Sequence, residues 1–135
     1  MLHGVPELLD ALQGQAALGL ASGNMARGAQ AKLDQFGLWD RFRGGGFGDH
    51  VEARHELVVA AIHDVAQQHG IEPDPRNTVV IGDTQRDVAA GQHAGARVLG
   101  VATGRSSVDE LLESGAEMAI EDFGDTQRAV DLLLG

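Results

Sequence analysis

The sequence contains no cysteine and no tyrosine, and aromatic residues make up only 4% of its 135 residues. Without cysteine the chain can form no disulfide, no thiolate nucleophile and no cysteine-ligated zinc site. No apolar run reaches the length of about 18 residues that a membrane span needs. The N-terminal residues 1–4 lack the basic and apolar stretches of a signal peptide. We therefore expect a cytoplasmic protein that has no membrane partner.

Basic residues are also scarce, since 10 lysines and arginines stand against 20 aspartates and glutamates, for a net charge of −10. An acidic surface repels the phosphate backbone, which argues against a nucleic-acid partner. Hydrophobic residues make up 43% of the chain, which is enough for a core built from Ala, Val, Leu and Ile. The length suits one domain, which we expect to span residues 1–135.

Helical apolar patterns alternate with short continuous apolar runs, which are typical of strands covered on both faces of a parallel sheet. The pattern predicts strands over residues 17–21, 42–47, 78–81, 96–102 and 116–120. It predicts helices over residues 5–13, 25–36, 52–69 and 86–93, and two more that begin at the capping-box pair Ser107 and Glu110 and at Asp125. This alternation indicates an α/β fold, in which ligands bind at the carboxyl ends of the strands.

Ser22, Gly23 and Asn24 follow the first predicted strand and precede a predicted helix. A hydroxyl and free backbone N–H groups at a helix start can bind phosphate oxygens, which the helix dipole also favours. Serine and asparagine are also both preferred N-cap residues of helices. Capping alone is the simpler explanation of this segment. From these residues by themselves, both interpretations stay open.

Asp83 ends the apolar run over residues 79–82, and Asp87 lies one helical turn later. A spacing of four puts both carboxylates on the same side of the turn. Like charges held close repel each other unless a cation lies between them, and Mg²⁺ takes one or two carboxylates together with waters and phosphate oxygens. The alternative is that the two acids only cap the helix. We favour a Mg²⁺ site, because Gly82 and Asp83 end a wholly apolar run at the ligand-binding edge.

Arg54 lies at the start of the helix predicted over residues 52–69. A cation there opposes the helix dipole unless it has an anionic partner. The alternative is an ordinary surface arginine paired with Glu52 or Glu56. Together with the serine segment and the carboxylate pair, Arg54 completes a set that could grip a phosphoryl group and neutralise its charge.

Residues 20–24, 52–57 and 82–87 together resemble the haloacid dehalogenase (HAD) superfamily, in its phosphoglycolate-phosphatase-like branch. Residues 20–24 resemble the second motif of that family, whose Ser or Thr binds the phosphoryl group. Arg54 stands where the third motif has its Lys or Arg, and residues 82–87 resemble the fourth motif, whose acids hold Mg²⁺. The resemblance extends over nearly the whole chain.

The resemblance implies a three-layer Rossmann-like parallel sheet and a Mg²⁺-dependent phosphatase-type activity on a small phosphorylated metabolite. It implies catalytic roles for Ser22 and Arg54, and metal ligation by Asp83 and Asp87. It also implies a phosphate site formed by four residues, namely Ser22, Gly23, Asn24 and Arg54.

One motif of the family has no counterpart before Ser22, namely the Asp-x-Asp pair that provides the nucleophile and the general acid/base at the end of the first, central strand. In this family the missing strand lies between the strands that end at Ser22 and at Asp83. Those two strands must then pair directly, leave a gap, or recruit a strand from another chain, as in a homo-oligomer that completes the sheet. An alternative function follows, a catalytically inactive domain that binds phosphate or Mg²⁺ or pairs with another subunit.

Overall fold

A computed structural model describes the chain over residues 4–12, 16, 18–22, 45–47, 54–103 and 106–134. The chain divides into two compact units, one over residues 17–74 and the other over residues 1–16 and 75–135. The single domain expected over residues 1–135 stays a prediction. In chain order the elements are α1 (Val5–Leu12), β1 (Leu20–Ser22), β2 (Gly45–Phe47), α2 (Arg54–His69), a 3-10 turn (Pro75–Asn77), β3 (Val79–Gly82), α3 (Gln85–His93), β4 (Arg97–Val101), α4 (Val108–Glu113), β5 (Met118–Ile120) and α5 (Thr126–Leu134).

The unit over residues 17–74 contains two short parallel strands and the helix α2. β1 pairs with β2 so that Leu20 lies opposite Gly45 and Ser22 lies opposite Phe47. The helix packs against both strands and buries Leu57, which is 4% exposed. Two of the three residues of β2, Gly45 and Gly46, are glycines. The strand forms nevertheless, because parallel strands pair through backbone hydrogen bonds rather than through side chains.

The larger unit is built on a parallel sheet with the strand order β3-β4-β5. Gly82 of β3 lies opposite Gly100 of β4, and Leu99 of β4 lies opposite Met118 of β5. The central strand β4 is buried from its second residue to its last, whereas β3 and β5 are only partly covered. The continuous apolar run of β4 therefore reflects its place between two neighbours.

The core of the larger unit lies between the sheet and its helices. A buried cluster joins one residue of α3, one of β4, one of α4 and one just before β5, namely Val88, Val98, Leu111 and Ala116. α1 packs against α5, and its buried face consists of three leucines, Leu8, Leu9 and Leu12. The packing of α1 against α5 places the N-terminal helix in the same unit as the last helix.

The α/β class with parallel strands is confirmed, and so are most of the predicted elements. The first strand is a correction, because it spans Leu20–Ser22 instead of residues 17–21 and so includes Ser22. Its partner β2 is only three residues long, which limits how much of the apolar run can pair. The helix predicted over residues 25–36 lies outside the described residues.

The caps of the last two helices match their sequence signals. The Ser107 hydroxyl accepts the Glu110 N–H at 3.1 Å, and the Glu110 carboxylate accepts the Ser107 N–H at 3.0 Å. Asp125 accepts the Arg128 N–H at 3.0 Å at the start of α5. Both pairs satisfy backbone donors that a helix start leaves without an intrahelical partner.

The described strands form two separate parallel sheets, in which β1 pairs with β2 and β3 pairs with β4. Direct pairing of β1 with β3, one of the three predicted consequences of a missing central strand, joins strands of the two different units and stays a prediction. A gap and a recruited strand both stay as predictions. None of the described helices is both long enough and apolar enough to cross a bilayer.

Replacing Gly91 by alanine tests how closely α3 lies on the sheet. A Cβ at this position would come within 2.6 Å of Val98 Cγ2 and 3.3 Å of Val80 Cβ. Alanine is favoured over glycine in a helix by about 1 kcal/mol, whereas overpacking costs about 1–3 kcal/mol. We expect the clash to dominate, so that urea denaturation shows Gly91→Ala to be less stable than the parent by about 1 kcal/mol.

Ala89→Gly, at an exposed position of the same helix, measures the propensity effect without the clash. We expect it to cost about 1 kcal/mol. If Gly91→Ala instead gained the same amount, the close approach of α3 to the sheet would be disproved.

Candidate metal site at the end of β3

The candidate site lies at the carboxyl end of β3, where the strand stops at Gly82 and the helix α3 begins at Gln85. Only Asp83 and Thr84 connect the two elements. Carboxyl ends of parallel strands are where α/β sheets bind their ligands, because the connections to the following helices open there. Of the two acids of the predicted metal site, Asp83 lies in this turn and Asp87 in the first helical turn of α3, and both are partly buried.

The Asp87 carboxylate is anchored on the backbone of the turn. Its Oδ2 atom accepts the Asp83 N–H at 3.1 Å and the Thr84 N–H at 3.2 Å. In return, the Thr84 hydroxyl accepts the Asp87 N–H at 3.1 Å, which completes a capping box with Thr84 as the N-cap. These three bonds fix the path of the chain from the strand into the helix.

Gly82 makes room for this arrangement. A Cβ at position 82 would collide with Asp87 Cβ and would come within 2.7 Å of Asp87 Cγ and 2.8 Å of its Oδ2. The carboxylate therefore occupies the space that any other residue at position 82 would fill. Glycine is required here for the close approach of a side chain rather than for a positive φ angle.

Asp83 has a different environment from Asp87. Within the part of the chain that the structure describes, its carboxylate makes no side-chain hydrogen bond or ion pair. It is partly exposed, directly follows a strand, and offers hard oxygen donors of the kind that Mg²⁺ prefers. The residues present therefore fit a divalent cation, with Asp83 able to turn both oxygens toward it and Asp87 held in place beside the same turn.

No group of three or more acidic or histidine side chains in the described ranges could enclose a metal by itself. Mg²⁺ keeps several waters and takes only one or two carboxylates from the protein. Zinc sites, by contrast, use three or four protein ligands.

The structure places the Asp87 carboxylate on the Asp83 backbone N–H, one helical turn away as the spacing of four requires. It also shows two functions that the sequence reasoning missed, the N-cap role of Thr84 and the space that Gly82 leaves. The first could have been found, because Thr84 and Asp87 form the Thr-x-x-Asp variant of the capping pattern. Capping, the alternative to metal binding for both acids, applies to Asp87 and not to Asp83, and metal ligation by either acid stays a prediction.

The predicted phosphate ligands belong to the other unit. Ser22 is the last residue of β1, and Arg54 is the first residue of α2, the helix that follows β2 and packs on both strands. Gly23 and Asn24 lie outside the described residues. The phosphate-binding roles of these four residues stay predictions.

The family model for HAD-hydrolase-like proteins matches residues 54–126, which is more than half of the chain. The chain belongs to this family. The matched range includes Arg54, Asp83 and Asp87, whereas Ser22 and its neighbours precede it. The metal end of the candidate site is thus in the part that defines the family membership.

Two solved structures share the fold of this HAD-hydrolase-like chain. A hydrolase from Pseudomonas syringae aligns with a TM-score of 0.80 and 24% identity over 99% of this chain and 60% of its own. A haloacid dehalogenase-like family hydrolase from Streptococcus pneumoniae aligns with a TM-score of 0.78 and 17% identity, over 96% of this chain and 58% of its own. At such identities the likeness concerns the fold alone.

Among curated proteins, the chain is 27% identical over 135 residues to a protein of Dickeya dadantii (strain 3937) named "Probable phosphatase IndB". The alignment covers 97% of this chain but only 56% of that protein. The chain thus spans little more than half the length of its curated relative. The activity of a whole protein cannot be carried over from the name of the relative.

Gly82→Ala should displace the Asp87 carboxylate and break the capping box. The added Cβ overlaps the Asp87 side chain, and we expect a loss of about 1–3 kcal/mol in the free energy of unfolding. The specific result is faster hydrogen exchange of the Asp83 and Thr84 amides, measured by NMR, because both lose their acceptor.

Gly100→Ala is the matched control for that experiment. Gly100 lies opposite Gly82 in the neighbouring strand, and its Cβ would press on Leu111 at 3.0 Å. This variant should also lose stability. The hydrogen exchange of its Asp83 and Thr84 amides, however, should speed up no more than global unfolding does. Equal effects of the two variants on these amides would refute the role assigned to Gly82.

Proposed function

We propose that this chain is a Mg²⁺-dependent phosphatase-type domain that acts on a small phosphate ester. The observation that carries the proposal is the turn after β3, where the Asp87 carboxylate is locked onto the backbone and the Asp83 carboxylate has no side-chain partner among the described residues. The Asp83 oxygens are not among the buried atoms without a partner, so they are open to a cation, and carboxylate oxygens are the ligands that Mg²⁺ prefers.

In this proposal Asp83 binds the metal directly, and Asp87 contributes through its position and its negative charge, directly or through water. When bound there, Mg²⁺ would neutralise negative charge on a phosphoryl group and orient its oxygens. Asp87 keeps the turn in one conformation, so that the Asp83 carboxylate is positioned before a cation arrives. Such positioning lowers the cost of organising the site when the ligand binds.

On the phosphate side, the proposal assigns Ser22 and the backbone N–H groups of Gly23 and Asn24 to the phosphoryl oxygens. Arg54 would neutralise charge on the same group. The support is the residue types and their order along the chain, together with the family membership. The substrate would be a small phosphorylated metabolite in the cytoplasm rather than a nucleic acid, in keeping with the net charge of −10.

A second candidate function is a domain that binds Mg²⁺ and phosphate without turnover. Two observations favour it. The 135 residues contain no Asp-x-Asp pair, which the family uses as nucleophile and general acid/base. In addition, β3 pairs only with β4 among the described strands, so its other edge could receive a strand from a second subunit or from a longer chain.

Calorimetric titration with MgCl₂ tests the metal site. We expect saturable binding by the parent chain and an affinity lower by about tenfold or more for Asp83→Asn, because losing a direct ligand should cost at least as much as losing an outer-shell partner. Asp109→Asn makes the same change of charge in the first turn of α4, at an exposed position. It should bind Mg²⁺ as the parent does, and equal weakening in both variants would mean that only the net charge matters.

Hydrolysis of p-nitrophenyl phosphate with Mg²⁺ separates the two candidate functions. Turnover that Asp83→Asn reduces and Asp109→Asn does not would support the phosphatase. Mg²⁺ binding that depends on Asp83 without any turnover would support the binding domain. Turnover at the same rate in Asp83→Asn would show that this site does not carry the chemistry.

Arg54→Gln tests the phosphate side. With Mg²⁺ present, we expect inorganic phosphate to bind about tenfold or more weakly than to the parent, because a hydrogen bond from a charged donor is worth about 1.5–3 kcal/mol. Arg128→Gln, an exposed arginine in the first turn of α5, is the control and should leave the affinity unchanged. Unchanged binding in Arg54→Gln would remove this residue from the site.

A further inference from the structure

Thr103 lies just beyond the carboxyl end of β4, the strand next to β3. The Ala102 N–H still donates to the Ile120 carbonyl of β5 at 2.8 Å, and the chain then turns sharply, with the Thr103 N–H donating back to the Val101 carbonyl at 2.9 Å. These bonds keep Thr103 at the sheet edge instead of letting β4 continue. The position of its side chain is thus set by the end of the central strand.

The Thr103 hydroxyl is buried and has no hydrogen-bond partner, and it is the only buried side-chain nitrogen or oxygen atom in that state among the described residues. A buried polar atom without a partner destabilises a fold, so native proteins have few of them, and each one calls for an explanation. A valine would fill nearly the same space without that penalty. The hydroxyl is therefore retained against stability, which is typical of groups that serve a ligand.

The location of Thr103 indicates which ligand it serves. Asp83 and Thr103 follow the carboxyl ends of adjacent parallel strands, and adjacent strands lie about 4.8 Å apart. Ionised carboxylates at this edge only accept hydrogen bonds. They therefore cannot donate one to the oxygens of a phosphate ester. A threonine hydroxyl provides such a donor and adds no charge.

We propose that Thr103 is a further phosphate-binding residue, whose hydroxyl donates a hydrogen bond to an oxygen of the phosphate ester held at this edge. The inference rests on the proposed function, since it assumes that Asp83 recruits Mg²⁺ and a phosphate there. It adds the end of β4 to the end of β3 in the same sheet, at a position that no motif resemblance indicated. The group that it recognises is the phosphoryl oxygen, to which the hydroxyl can donate a hydrogen bond.

Thr103→Val and Thr103→Ser, made in the 135-residue chain, test this inference through three measurements. We expect Thr103→Val to raise the midpoint of thermal unfolding without ligand by about 2–6 °C, because it removes the buried unpaired hydroxyl. Its affinity for Mg²⁺ alone should stay within about twofold of the parent. Its affinity for inorganic phosphate in saturating Mg²⁺ should fall by about three- to tenfold, and Thr103→Ser, which keeps the hydroxyl, should restore most of that loss.

Thr78→Val makes the same chemical change next to β3 but at the opposite, amino end of the strand, and it should leave phosphate binding unchanged. A Thr103→Val chain that binds phosphate as the parent does would overturn the inference, as would one that is less stable than the parent without ligand. The proposed function would survive both results if Asp83→Asn still weakened Mg²⁺ binding. A parent chain that binds neither Mg²⁺ nor phosphate would overturn the proposed function and this inference with it.

Discussion

The hydrogen bonds between the Asp87 carboxylate and the backbone of Asp83 and Thr84 connect the end of β3 to the start of α3. They satisfy amides that would otherwise have no acceptor at a helix start, and they hold the two-residue turn in one conformation. The direction in which Asp83 leaves the strand is fixed by the same bonds. A candidate ligand group is thus positioned by a neighbour whose own charge is already engaged with the backbone.

Two glycines allow this geometry by leaving space on either side of it. Gly82 leaves room for the Asp87 side chain at the end of the strand, and Gly91 lets α3 lie close to Val98 and Val80 on the sheet. Because the helix is held close to the strands, the turn that joins them has little freedom. The site therefore rests on a rigid strand and a rigid helix rather than on a long loop, which favours a precise arrangement of ligands.

Stability and function oppose each other at this edge of the sheet. Among the described residues, Asp83 has a carboxylate without a side-chain partner, and Thr103 has a buried hydroxyl without a partner, which costs stability. Elsewhere in the same unit, residue type and local environment match, as in the reciprocal cap of Ser107 with Glu110 and the buried apolar cluster around Leu111. Departures from local consistency are expected where ligands bind, and here both lie at the carboxyl ends of adjacent strands.

The sequence alone determined the α/β class, the order of most elements and the two acids of the turn. Hydrophobic periodicity and capping residues are local signals, and Asp83 and Asp87 are separated by a single helical turn. The tertiary structure decided what depends on contacts between distant segments. It ended β1 at Ser22, because β2 offers only three residues for pairing. It also left the Thr103 hydroxyl buried just beyond β4, the strand next to that of Asp83. It also assigned different roles to two acids of identical chemistry, because only Asp87 reaches the backbone amides through the space at Gly82.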